Sequence, residues 1–271
     1  MIIAKLPKDN SIRILLISDI HGIVDNNYIP CGGPQYINTF GSSAVDLLQK
    51  LKSMTSLHYD MIVNVGDTIK DSNVTKDIEV FSLVVDLLST FDTQNIIHVI
   101  GNHDIQHINI ADMCSMLNRK EPFFSSTVLN FKHIVLFAYT KNHQEAVFGS
   151  AQLAWLEHEL SRNGDMPTII YSHFPFIERD LEKNYYFFKN PKSAFPIDGH
   201  KVQNILENHP NVILSVNGHL HFYDTFQSHG IQYLTVPSFT ENNGKHQPLA
   251  QVLLVTITDK HVQHERIDIP I

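Results

Sequence analysis

The chain is poor in cysteine. Only Cys31 and Cys114 occur among 271 residues. That excludes a disulfide framework and points to two reduced thiols in a reducing compartment. No uninterrupted apolar run approaches the roughly 18 residues of a membrane span. The start, Met1 to Lys8, lacks the apolar core and cleavage pattern of a secretory leader. A basic excess is missing too: 20 Lys and Arg face 28 Asp and Glu, a formal charge of −8. A protein built for a nucleic-acid backbone needs a basic face, so no stable nucleic-acid partner is expected. There is no internal repeat and no linker-like stretch. These absences predict a soluble cytoplasmic protein with one domain over residues 1–271. An apolar share of 43% is enough for a full core.

Histidine, by contrast, is abundant, with 17 residues, and that prompts a search for metal ligands. The apolar pattern predicts strands over 12–17, 61–65, 96–100, 168–172 and 212–216. Helical spacing predicts helices over 42–54, 75–88, 150–161 and 201–208, the first capped by Ser42 or Ser43. Residues 123–129 and 134–139 read as paired strands with no helix between them. Further strands are predicted near 222–228, 231–236, 249–257 and 261–268. Residues 22–41 hold four Gly and two Pro and read as a long loop. Alternation of strand and helix, broken by strand-rich segments, predicts an α/β (α+β) fold. The expected form is a four-layer αββα sandwich, two mixed β-sheets flanked by helices.

Five motifs follow one another, each where a predicted strand runs into a loop. That is where open α/β sheets bind their ligands. Asp19 and His21 are two apart, and on an extended chain their side chains share a side and can chelate one ion. Asp67 follows Gly66, and a carboxylate can bridge two ions. Gly66 lets the backbone approach closely or take positive φ. In Gly101-Asn102-His103-Asp104, Asn102 offers a neutral oxygen ligand and His103 can protonate a leaving group. Asp104 can orient His103 through its other ring nitrogen. His173 stands alone after its strand. His219 and His221 repeat the two-apart spacing. None of the motifs contains cysteine, which argues against a structural zinc site of the thiolate type, and the mixed N and O donors favour Mn, Fe or Zn.

Over roughly Ile12 to Val236, this motif set resembles the calcineurin-like metallophosphoesterase superfamily. The resemblance implies a first metal held by Asp19, His21 and His221 with Asp67. It implies a second held by Asn102, His173 and His219, again with Asp67, which bridges. His103 becomes the acid, with Asp104 behind it. The implied cofactors are two divalent or mixed-valence ions. The implied chemistry is attack on phosphorus by a bridging hydroxide, with His103 supplying a proton to the departing oxygen.

Departures from the family's branches narrow the expectation. Gly66-Asp67-Thr68-Ile69-Lys70 and Asn102-His103-Asp104 differ from the patterns of the protein phosphatases. Lys70 stands where purple acid phosphatases place an iron-binding Tyr. The pattern is most similar to class III cyclic-nucleotide and related phosphodiesterases. The expected substrate is therefore a small phosphate ester, a nucleotide among the candidates. A phosphomonoesterase or pyrophosphatase is the alternative, and a catalytically silent scaffold a more distant one. Loops 22–41, 174–199 and 237–247 are placed to choose the substrate. In 174–199, a possible flap, Tyr185, Tyr186, Phe187, Phe188 and Phe195 either wall the site or pack among themselves. His107 reads as a helix-start residue, and the remaining histidines as surface or core.

Overall fold

The structure is a computed structural model that describes residues 11–24, 39–141, 144–162, 164–258 and 261–271. The expected N-terminal segment, most of loop 22–41 with Cys31, and His143 lie outside the described residues.

Along the chain come β1 (Ser11–Ile17), α1 (Ala44–Ser53), β2 (Met61–Asn64), α2 (Val74–Ser89) and β3 (Ile96–His98). Next are α3 (Ile110–Met116), β4 (Phe124–Val128), β5 (Phe131–Leu136), β6 (Tyr139–Lys141), β7 (Gln144–Val147) and α4 (Ser150–Ser161). They are followed by β8 (Thr168–Ser172), α5 (Tyr185–Lys189), α6 (Gly199–Glu207) and β9 (Val212–Asn217). The last strands are β10 (Asp224–Ser228), β11 (Ile231–Thr235), β12 (Gln251–Thr258) and β13 (His261–Asp268). Helix α3, the small β6–β7 ribbon and α5, within a stretch whose sequence reads as irregular (174–199), are not predicted by the sequence pattern, because each is too short to show a period.

The larger strands form two mixed sheets, ordered β13–β12–β1–β2–β3 and β10–β11–β9–β8–β5–β4. In the first, β1 runs parallel to β2 and antiparallel to β12. In the second, β5, β8, β9 and β11 are mutually parallel. β1 shows why the sheets stack as they do. Ile12, Ile14 and Leu16 point into a core shared with Val135, Ile169 and Val216 of the other sheet. Leu15 and Ile17 point the other way, against Leu48 and Leu51 of α1 and Phe81 and Val84 of α2. Each such side chain, fully buried, contributes roughly 1.5–3 kcal/mol. On the far side, Leu156 and Leu160 of α4 and Val202 and Leu206 of α6 cover the second sheet. The layers are therefore helix, sheet, sheet, helix, as expected. Among the described residues, no helix is long and apolar enough to cross a membrane.

Candidate metal centre

All five motifs meet at one end of the two sheets. β1 ends just before Asp19 and His21, β2 before Asp67, and β3 before Asn102 and His103. From the second sheet, β8 ends before His173, and β9 before His219 and His221. The first two loops continue the parallel pairing of their strands. Asp19 N donates to Gly66 O at 3.0 Å, and His21 N to Asp67 O at 2.9 Å. The sheets are tied together directly, because His219 N donates to Asp19 Oδ2 at 3.0 Å.

Three groups of ligand atoms result: Asp19, His21 and His221; Asp67, His173 and His219; and His21, Asp67 and His103, which lies between the other two. Asp67 Oδ2 stands between them, 3.1 Å from His173 Nε2, 3.8 Å from His21 Nε2 and 3.9 Å from His103 Nε2. Its Oδ1 accepts the backbone N–H of His103 at 2.9 Å. Asn102 is buried at the start of the single turn His103–Ile105.

The backbone corrects one expectation. Asp19 and His21 converge, but not by extended geometry: their φ angles are +50° and +46°. Asp67, His219 and His221 are left-handed as well, at +51°, +68° and +63°. For a residue with a Cβ this costs roughly 1–2 kcal/mol. Such outliers gather where a site demands a fixed direction. Gly66, at φ +101°, meets its expectation. Gly101 is needed for closeness instead, since a Cβ there would lie 2.1 Å from Asp67 Oδ1.

A second correction concerns Asp104. Its carboxylate does not reach the His103 ring. Oδ1 accepts Thr68 N at 2.8 Å and Ile69 N at 3.2 Å, and Oδ2 accepts Gly101 N at 2.8 Å. Three backbone donors occupy both oxygens, so Asp104 staples the Asp67 loop to the Asn102 loop. The residue paired with His103 Nδ1 is Asp71. Asp71 lies four positions after Asp67 in the same loop, and that closeness was the available signal. Glu241, whose Oε2 lies 2.6 Å from His221 Nδ1, had no motif to reveal it.

Electrostatics prepare the carboxylates for cations. Burial opposes the charge of Asp19, but His221 and then His173 outweigh it and hold the carboxyl down at about 2. Asp67 also lies well below the usual range, because the surrounding imidazoles overcome its burial. Burial, then His173, pushes His219 down to about 3, leaving a neutral ring. Its Nε2 donates to Ser193 O at 2.8 Å, so Nδ1 is the nitrogen left for a ligand bond. Similarly, His173 Nδ1 bonds Val65 O at 3.0 Å and leaves Nε2 facing Asp67. Asp19 Oδ1 and His173 Nε2, 4.0 Å apart across the site, are buried with no hydrogen bond. Leaving such atoms unpaired costs about 1–3 kcal/mol or more each. A cation between these donors removes that cost, so the residues fit a metal pair.

The aromatics of the surrounding loop divide between the two expected uses. In the 174–199 segment, Phe187 lies against His219 with ring centroids 4.8 Å apart. Tyr186 and Phe195 pack around Phe187, Ala194 and Leu220, while Tyr185 and Phe188 are exposed. His107 pairs with Asp77 of α2 at 2.7 Å. Of the histidines without a motif, His133 is fully buried beside Tyr171.

A family model described as calcineurin-like phosphoesterase matches residues 12–223. The chain belongs to the calcineurin-like phosphoesterases. This calcineurin-like chain also resembles solved structures in fold. A dimetal phosphatase from Danio rerio superposes with TM-score 0.71 at 16% identity, over 96% of this chain and 99% of that one. A purple acid phosphatase from yellow lupin (Lupinus luteus) gives 0.68 at 12% identity, over 95% and 51%. A putative 5′-nucleotidase from Staphylococcus aureus gives 0.57 at 16%, over 96% and 54%. The phosphoesterase thus spans about half the length of the lupin and staphylococcal chains. No curated protein sequence matches it.

Proposed function

We propose that this phosphoesterase is a metal-dependent phosphodiesterase acting on a small diester, with nucleotides as the leading substrate class. The observation that carries the reading is the position of Asp67 Oδ2, 3.1 Å from His173, 3.8 Å from His21 and 3.9 Å from His103, between the two outer ligand groups. Asp19, His21 and His221 would hold one cation, and Asn102, His173 and His219 the other, with Asp67 common to both. Two cations there supply the Lewis acidity that readies water and offsets phosphoryl charge. Oxygen and nitrogen donors without sulfur suit Mn, Fe or Zn.

The remaining roles belong to the chain itself. Among the described residues, the ligands are at most 6% exposed, whereas the His103 side chain is 25% exposed. An ester therefore approaches past His103, which is in place to give a proton to the departing oxygen. Asp71 fixes the ring by taking Nδ1, so Nε2 faces the site. Lys70 offers no phenolate, so a tyrosinate–iron absorption band is not expected. The net charge of −8 supports a small-molecule substrate over a nucleic-acid backbone. The two cysteines, of which Cys114 is free and buried, support a cytoplasmic setting.

The alternative is a phosphomonoesterase or pyrophosphatase on the same donors, in line with the names of the similar zebrafish and lupin proteins. Turnover of bis-p-nitrophenyl phosphate against p-nitrophenyl phosphate with added Mn²⁺, using Asp67→Asn as blank, separates the two. Diester preference supports the proposal, and monoester preference replaces it with the alternative.

A further inference from the structure

Residues 238–241 run beside the loop that carries Asp19 and His21. Phe239 N donates to Ser18 O, Ser238 Oγ to Asp19 O and Thr240 Oγ1 to Ile20 O, each at 2.9 Å. Ser238, Phe239 and Thr240 are all fully buried. Three successive carbonyls of the left-handed ligand loop are thus held by this one segment. At its end, Glu241 turns toward His221, with Oε2 2.6 Å from Nδ1. The carboxylate is itself fixed: Oε1 accepts Asn242 N at 3.0 Å. Its backbone N–H donates to Ser238 Oγ at 3.1 Å, and its carbonyl accepts Leu249 N at 2.7 Å. The segment lies past residue 223, where the family match ends.

A carboxylate only accepts hydrogen bonds, and a ligating imidazole offers one lone pair and one N–H. We propose that Glu241 is a positioning residue for the Asp19–His21–His221 cluster. It takes the Nδ1–H of His221 and so aims the Nε2 lone pair, 3.3 Å from Asp19 Oδ1, at the cation. The inference rests on the two-cation reading above. It is selective, because His173 and His219 are oriented by backbone carbonyls that a change at Glu241 does not touch.

The test is a Co²⁺ titration of the full chain after chelator treatment, followed by calorimetry and visible absorption. Wild type is expected to take two equivalents. Glu241→Leu should weaken one binding step by about 10–100-fold and leave the other unchanged. Glu241→Gln, with one oxygen for two donors, should fall between and serves as the test if the Leu variant does not fold. A purely structural role would weaken both steps together and lower the unfolding temperature of the stripped chain. That result overturns the proposal, as would two steps as tight as in wild type. A wild type that takes fewer than two Co²⁺ overturns the two-cation reading itself, and the proposal with it.

Discussion

The clusters Asp19–His21–His221 and Asp67–His173–His219 lie side by side but are braced by different chemistry. In the first, side chains do the bracing: Glu241 on His221, Ser238 and Thr240 on the carbonyls between the ligands. In the second, main-chain carbonyls do it, Val65 O for His173 and Ser193 O for His219. A backbone acceptor survives almost any substitution at its own position. A side-chain acceptor does not. The first cluster is therefore open to adjustment by mutation, and the second is tied to the path of the chain.

The largest expected effect falls where the two meet. Asp67→Asn should bring turnover down to that of chelated wild type and leave fewer than two Co²⁺ bound. A variant that kept both would remove Asp67 from the shared position. His103→Asn should leave cation binding intact and lower turnover by about 10²–10⁴-fold. Loss of bound cation in that variant would make His103 a ligand instead. Asp71→Ala removes a hydrogen bond to a charged partner worth about 1.5–3 kcal/mol. The expected loss in kcat is about 10–100-fold, with rates for Asp104→Asn as the contrast. If Asp104→Asn alone slowed proton donation, the assignment of Asp71 would fail.

Acid probes the scaffold of the second cluster. Burial lowers the pKa of His133, on β5, from 6.5 to about 4. Between those values the unfolded chain binds the proton and the folded chain does not. Stability is therefore full above 6.5 and is lost as pH falls toward 4, by about 3 kcal/mol from this residue. Urea unfolding across that range should show the loss in wild type and a shallower one in His133→Gln. Equal slopes would mean that His133 takes up its proton without opening the core. The smallest effect is expected at Ser193→Ala. It leaves the carbonyl to His219 in place, so stability should shift by less than about 0.5 kcal/mol. Co²⁺ binding should also be unchanged, in contrast to Glu241→Leu.

Much of the centre was legible because strand ends and chemistry coincide. A run such as Ile12–Ile17, short and rich in branched apolar residues, reads as a buried strand, and Asp19 and His21 follow it at once. The direction of those side chains was not legible. Left-handed backbone at Asp19, His21, Asp67, His219 and His221 depends on hydrogen bonds from other loops, which no local pattern records. Asp104 was misassigned because adjacency to His103 suggested contact. In the fold, Asp104 instead meets three backbone donors, and the ring turns to Asp71. Glu241 was out of reach for the same reason: only the pairing of distant segments brings it to His221.

The place of β1 has a consequence for how the molecule is made. β1 is flanked by β2 on one side and β12 on the other, with Ser11 opposite Thr258 and Leu16 opposite Leu253. During synthesis it can join β2 early, but its other edge stays open until β12 leaves the ribosome. Phe239, Ser238 and Thr240, which clasp the loop after β1, also arrive late. Pairings so distant along the chain are slow to form, and an open edge meanwhile invites association with other chains. The nascent chain therefore carries Asp19 and His21 long before they have the shape to capture an ion. Metal loading becomes an event of the finished polypeptide.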